Sequence, residues 1–378
     1  MRIEPFGVEL WMNAWETRCD WNLAETCVES LTIAQLLDLA GQNDTDLSAL
    51  LPLRMTYGAI EGSMRLRQAI AALYDRQTPE NILVTHGTIG ANMLVHKTLV
   101  SPGDHVVAVV PTYQQHTSIP ASIGAHVAPL PLSEDNNWLP DIETLRAMVT
   151  PETRLIALTN PNNPTGALIG PDLMMQIVEI ARAADAWILC DEVYRGTDQH
   201  GDGITASIAD LYDKGISTGG MSKAFSLAGL RLGWVAAPET LLDQIIIHRD
   251  YDTISVGVID DHLAALALEA KDRILARSQR ITRGNLEVLS DWVEAEPRIT
   301  WVRPLSGTTA LLKYDIGVPS RALCETLLQD TGVLLTPGSA MGMEGYLRIG
   351  YANAPDILRA GLARLSGFLA QYAETRDL

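Results

Sequence analysis

From residue 81 to 191, short apolar runs alternate with stretches whose apolar residues recur at helical spacing. NILVTHG precedes a helical pattern over 88–100, HVVAVV one over 113–123 and RLIALT one over 171–184, and AWILCD closes the series. These runs are apolar nearly throughout, without in–out alternation, which predicts strands covered by helices on both faces. ISTGG at 216–220 and RLGWVAA at 231–237 extend the predicted sheet. The period then changes. Residues 239–294 read as helices with charged faces opposite Leu, Ile and Ala. Beyond them TWVRP, TTALLKYDI, a helix near 319–330, GVLLTP, YLRIGYA and a last helix from about 355 predict a smaller α+β unit. The first 45 residues carry Trp11, Met12, Trp15 and Trp21, more apolar surface than an isolated arm leaves in water. The arm is therefore expected to pack on the C-terminal lobe or on a second subunit. The expected class is α/β: a large domain (46–275) with a mostly parallel central sheet flanked by helices, and a small α+β domain formed by the N-terminal arm (1–45) and the C-terminal segment (276–378).

Composition narrows the partners. With 378 residues, 47% hydrophobic and 20% charged, the chain has the make-up of a globular protein with a large core. A formal charge of −18 argues against a nucleic-acid groove, which needs clustered Lys and Arg. Cys19, Cys27, Cys190 and Cys324 form no CxxC pair and have no histidine at zinc-ligand spacing, so no metal is expected and the thiols read as reduced and structural. The opening residues lack the charged start and apolar block of a signal peptide, and no run approaches the ~18 apolar residues of a membrane span. A cytoplasmic location is expected.

Candidate chemistry gathers at strand ends. Asp191, in DEVY, follows the apolar run AWILC, so it is expected at the carboxyl end of a buried strand, where α/β sheets collect ligands. A carboxylate there needs a partner, and the pyridine nitrogen of pyridoxal 5′-phosphate is one that an ionised aspartate keeps protonated. NPNNPTG at 160–166 also ends a strand; its prolines and Gly166 fix a turn from which Asn163 projects an amide. HGTIGANMLV at 86–95 reads as strand, glycine turn and helix start, which offers free NH groups to an anion. Tyr113, in PTYQQH, is suited to stack on a flat ring. In SKAFSLAGLRLGW, Lys223 lies in a glycine- and serine-rich turn, with Ser222 and Arg231 near enough in sequence to serve a phosphate.

Taken in this order, the motifs resemble the fold-type I pyridoxal phosphate enzymes, in particular the class I and II aminotransferase family, from about Tyr57 to Arg348. The resemblance implies that Lys223 is the Schiff-base lysine and general base and that Asp191 partners the ring nitrogen. Asn163 and Tyr194 would donate to the phenolate oxygen, and Tyr113 would stack on the ring. Thr88, the Ile89 amide, Ser222 and Arg231 would bind phosphate. Tyr57, in YGAIEGSMRLR, would reach the phosphate of the other subunit, which implies a homodimer with shared sites. Arg348, in YLRIGYA, would clamp the substrate α-carboxylate, a bidentate task suited to a guanidinium. Glu25, in NLAETC, lies where family members shape the substrate pocket, and is a candidate to meet a cationic side chain such as arginine's.

Two features depart from the pattern. Gly220 stands where the family usually has a phosphate-binding serine, so one hydroxyl contact is expected to be missing or supplied by another residue. The opening block EPFGVELWMNAWE is not the usual one and is loosely similar to antibiotic-pathway members of the family. The expected activity is transamination of an amino acid to a keto acid, through an external aldimine and a Cα carbanion. The alternative is elimination, replacement or cyclisation at the β- or γ-carbon. A pyridoxal phosphate-binding regulator would need a DNA-binding module, for which the arm before residue 45 is too short and acidic. A nicotinamide dehydrogenase would need a GxGxxG after its first strands, which is not present.

Overall fold

The computed structural model describes residues 2–42 and 50–374. One expected division between domains, at 45/46, lies outside the described residues. The arm supplies α1 (Gly7–Trp15), β1 (Trp21–Asn22) and α2 (Ile33–Leu39), and α3 (Met64–Ala71) follows, capped by the Ser63 hydroxyl. The central region then alternates as the apolar runs predict: β2 (Ile82–Thr85), α4 (Gly87–Leu99), β3 (His105–Val110), α5 (Gln115–Ile123), β4 (His126–Pro131), α6 (Ile142–Met148), β5 (Thr153–Thr159), α7 (Pro171–Ala183), β6 (Trp187–Asp191), α8 (Ile208–Leu211), β7 (Gly215–Gly220) and β8 (Gly233–Ala236). Three helices, α9 (Glu239–Arg249), α10 (Val258–Glu269) and α11 (Lys271–Ala295), lead to the C-terminal lobe. That lobe contains β9 (Ile299–Thr300), β10 (Thr309–Tyr314), α12 (Ser320–Thr331), β11 (Val333–Leu334), β12 (Thr336–Pro337), β13 (Tyr346–Gly350) and α13 (Pro355–Glu374).

The seven-stranded sheet runs β2-β8-β7-β6-β5-β3-β4, and only β8 is antiparallel to its neighbours. The ends of β2, β3, β5, β6 and β7 therefore open on one edge, with helices on both faces. Residues 126–131 form edge strand β4 even though Pro129 and Pro131 lie in it. An edge strand tolerates prolines because one side of its ladder has no partner.

Two findings refine the C-terminal reading. GVLLTP divides between two sheets: β11 pairs with β1 of the arm, whereas β12 joins the four-stranded sheet β12-β13-β10-β9. TWVRP contributes only its first residue to a strand. The arm packs on this lobe. Val8, Trp11, Met12, Leu23 and Ala24 share a core with β10, β13, α12 and α13, and the Trp11 indole donates to the Leu335 carbonyl at 2.9 Å. Helix α11 belongs to two cores, with Ile274 and Leu275 in one and Leu286, Leu289 and Val293 in the other. Among the described residues no helix is long and apolar enough to cross a membrane, and no group of His, Cys, Asp and Glu gathers to hold a metal ion.

Candidate active site

The loops at the carboxyl edge of the sheet, the arm and β13 enclose a cavity of about 320 Å³, within the range of small-molecule sites. Thr88, Ile89, Tyr113, Asn163, Asp191, Tyr194, Ser222, Lys223, Arg231, Arg348 and Glu25 all line it. Tyr57 does not; it is 77% exposed on the surface.

Asp191 is the last residue of β6 and is 4% exposed. Its Oδ2 accepts from Asn92 Nδ2 at 2.8 Å and its Oδ1 from the Val193 amide at 3.1 Å. Asn92 is itself oriented by the Thr218 hydroxyl, which donates to its Oδ1 at 2.7 Å. Burial pushes the Asp191 carboxyl up to about 6, against the pull of Asn92, Val193 and Lys223.

Lys223 follows β7 and reaches back to the arm. Its Nζ donates to Thr26 Oγ1 at 2.6 Å and lies 3.4 Å from Cys27 Sγ. Burial disfavours the ammonium, but Cys27, Tyr194 and Glu25 together hold its pKa above the ordinary lysine value. Burial also pushes the Cys27 thiol up to about 11, and the Tyr194 phenol is raised in the same way. Glu25 is therefore the anion that faces Lys223 at neutral pH. Its carboxyl is kept below the usual glutamate value: burial raises it, and Lys223 with the Thr26 and Cys27 amides outweighs that. Both amides donate to Glu25 Oε1, at 2.7 and 2.8 Å, so one oxygen of Glu25 braces the backbone that meets Lys223.

In the 160–166 turn, Asn160 brackets Ile169 through its amide and Asn162 accepts from the Thr165 hydroxyl at 2.8 Å. These two asparagines hold the turn and leave Asn163 facing the cavity. Its Oδ1 lies 3.4 Å from Arg348 Nη1. Arg348, on β13, is 3% exposed, and its Nη2 donates to Thr336 Oγ1 at 3.1 Å and to the Ala24 carbonyl at 3.4 Å. Its Nε has no partner among the described residues. A buried guanidinium with a donor unspent and no carboxylate bonded to it is suited to receive an anion.

A second anion position lies at the start of α4, where the first NH groups have no intrahelical acceptor. The Thr88 hydroxyl there is buried and has no partner among the described residues, and Arg231 lies beside Gly87, with Nη2 only 3.2 Å from where a Cβ on that glycine would sit. Gly87 has φ +67°, in the left-handed region open to glycine. The missing hydroxyl at Gly220 has a steric explanation: a Cβ there would lie 2.4 Å from Thr88 Oγ1. Thr88 occupies the space a serine side chain would need. Gly220→Ser is accordingly expected to raise the Kd for pyridoxal phosphate about tenfold, the effect of about 1.4 kcal/mol of overpacking. A fluorescence titration checks this, and tighter binding would refute it.

Several lining residues were not anticipated from sequence: Val8, Glu9, Met12, Glu16, Thr26, Cys27 and Asn92. Most come from the arm. Tyr113 connects the arm to the sheet, since Phe6 packs on its ring at 4.7 Å and its hydroxyl donates to Glu9 Oε1 at 2.8 Å. The spacing of Glu9, Met12 and Glu16 in a helical run was the available signal.

An anion cradle, a buried carboxylate and a lysine along one cavity fit a phosphate-bearing ring with a basic nitrogen and a carbonyl. The comparisons agree. Residues 40–363 match the family model described as aminotransferase class I and II. Capreomycidine synthase of Streptomyces vinaceus is 30% identical over 98% of this chain and 95% of its own. A pyridoxal phosphate-dependent aminotransferase from Streptococcus suis 89-1591 is 41% identical, with a TM-score of 0.95 over 98% of this chain and 99% of its own. The pyridoxal phosphate-dependent cyclase OrfR is 28% identical, with a TM-score of 0.90 over 98% of each chain.

Proposed function

The chain belongs to the class I and II aminotransferase family, whose members use pyridoxal 5′-phosphate, and we propose that it transaminates an amino acid to the keto acid. The observation that carries this reading is the position of Lys223 Nζ, held by Thr26 in a cavity that has Asp191 on its floor and Arg348 in its wall. When bound, pyridoxal phosphate supplies a ring that accepts the electron pair released at the substrate's α-carbon.

The residues divide the remaining work. Arg348 binds the substrate α-carboxylate with the donor it has free, which orients the α-hydrogen toward Lys223. Lys223 Nζ carries that proton, and the Thr26 hydroxyl keeps the amine from swinging away. Asp191 holds positive charge at the pyridine nitrogen, with Asn92 and Val193 fixing its two oxygens. Thr88, the Ile89 amide, Ser222 and Arg231 would hold the cofactor's phosphate, Asn163 and Tyr194 would donate to its phenolate oxygen, and Tyr113 would lie against its ring. Glu25 faces the substrate with the oxygen its own backbone leaves free.

We further propose a homodimer in which the partner's Tyr57 completes the phosphate site. Leu51, Met55 and Tyr57 are each more than 70% exposed, an apolar strip suited to burial against a second copy.

A cyclising outcome is the second reading. The sequence match to capreomycidine synthase extends over 98% of the chain, arm included, whereas that to an arginine–pyruvate transaminase of Pseudomonas aeruginosa covers 82%. The test is to incubate holoenzyme with a panel of amino acids without a keto acid acceptor and follow products by mass. One equivalent of keto acid per site supports transamination. Repeated turnover to a product altered along its side chain replaces that reading with the second, and no change in any amino acid overturns both.

A further inference from the structure

Helix α1 presents one face to the cavity. Glu9, Met12 and Glu16 are spaced three and four residues apart, which on a helix puts them in one row, and Val8 lies beside them; all four line the cavity. Glu16 is the C-cap but keeps helical backbone angles (φ −62°, ψ −27°), so it stays in register with the row. The face is thus an apolar strip with a carboxylate at each end. The helix is fixed in place. Its Gly7 amide donates to Gln114 Oε1 at 2.8 Å, Gln114 Nε2 donates to the Pro5 carbonyl at 3.0 Å, and Trp11 is pinned to Leu335.

The three carboxylates face one cation, Lys223, which pulls Glu25 and Glu16 down. Glu9 and Glu25 each spend Oε1, on the Tyr113 hydroxyl and on two backbone amides respectively, and Glu25 also meets the Cys27 thiol. None of Glu9, Glu16 and Glu25 joins an ion pair among the described residues. The Glu16 carboxyl is raised by burial and then by the negative charges of Glu25 and Glu9, which outweigh the pull of Lys223, and a further cation among them would relieve that repulsion. Independently, the unpartnered Nε of Arg348, 97% buried by its 3% exposure, marks the end of the same cavity that takes an anion. One cavity thus offers a cationic seat at one end and an excess of carboxylates at another, with apolar contact between.

We infer that α1 reads the substrate side chain: a methylene stem lies along Val8 and Met12, and its guanidinium or ammonium end is bound by Glu9 and Glu16 together with Glu25. This rests on the proposed function, which sets the α-carboxylate on Arg348. A neutral side chain of the same length would leave the carboxylates unpaired, which is how such a site discriminates. The excess of negative charge there also disfavours acidic side chains.

The test compares L-arginine with L-citrulline, which has nearly the same length and shape but no charge. Holoenzyme is titrated with each, with Kd from the visible band and the rate from quenched single turnovers. Arginine is expected to bind at least about tenfold more tightly than citrulline. Glu16→Gln is expected to raise the arginine Kd about tenfold while leaving the citrulline Kd and the saturated single-turnover rate in place. Equal Kd values in the unaltered enzyme overturn the inference without recourse to any variant. So does a Glu16→Gln chain, folded by circular dichroism, that weakens both ligands alike, because its carboxylate then does not read the side-chain charge. If both amino acids react equally well, only the side-chain inference falls; if no amino acid changes the band or yields product, the proposed function falls.

Discussion

Lys223→Ala is expected to slow exchange of the substrate α-hydrogen with solvent deuterium by about 10³-fold, within the range that a positioned general base contributes. Amino acid binding is expected to persist, because Arg348 and the carboxylates of α1 do not depend on the lysine. The measurement is mass-detected deuterium incorporation at Cα, with Kd followed separately by calorimetry. Exchange at an undiminished rate would show that another group moves the proton and would remove Lys223 from the mechanism. The same variant examines the subunit arrangement. Mixed with Tyr57→Ala chains, it forms heterodimers in which one site keeps its own Lys223 and receives an intact Tyr57 from the partner. Activity above that of either variant alone is expected for a shared site, and none for a self-contained one.

The strand-end motifs were legible because each is local. A buried apolar run followed by a polar turn places Asp191, Asn163 and Tyr113 at the same sheet edge whatever the rest of the chain does, and the structure brings them to one cavity. The arm's contribution was not legible, since it depends on contacts distant in sequence. The Trp11 to Leu335 bond spans 324 positions and the Lys223 to Thr26 bond 197. Glu25 illustrates both sides: its place at the cavity followed from sequence, but the commitment of its Oε1 to its own backbone did not. At Gly220 the sequence suggested a lost contact, while the geometry puts the Thr88 hydroxyl in that space. β4 is absent from the strands read off the apolar runs, and its edge position makes its two prolines acceptable.

Asp191→Asn is expected to move stability and chemistry in opposite directions. The folded-state pKa of Asp191, about 6, lies above the ordinary aspartate value of 3.8, because burial penalises the charged form. A raised acid stabilises the fold below about pH 4, where it is protonated in both states, and that contribution is lost as pH rises through 6. Above pH 6 the buried carboxylate costs about 3 kcal/mol relative to the unfolded chain. Asparagine removes this charge, but it has one acceptor oxygen where Asn92 and Val193 supply two donors, so part of the gain is forfeited. Apoenzyme carrying the variant is expected to be about 1–2 kcal/mol more stable than the unaltered apoenzyme at pH 8, with the advantage vanishing toward pH 4. Pyridoxal phosphate reverses the order at pH 8: a protonated ring nitrogen pairs with the carboxylate and not with the amide, so the unaltered chain gains more from the cofactor. The α-hydrogen exchange rate of the variant is expected to fall about 10²–10³-fold, the usual effect of losing one preorganised electrostatic partner. Urea titrations at pH 5 and pH 8, with and without cofactor, together with the deuterium assay, measure all three quantities. An apo variant less stable than the unaltered chain at pH 8 would mean that the carboxylate is held for its hydrogen bonds and not waiting for a cation, and the assignment of Asp191 to the ring nitrogen would fall with it.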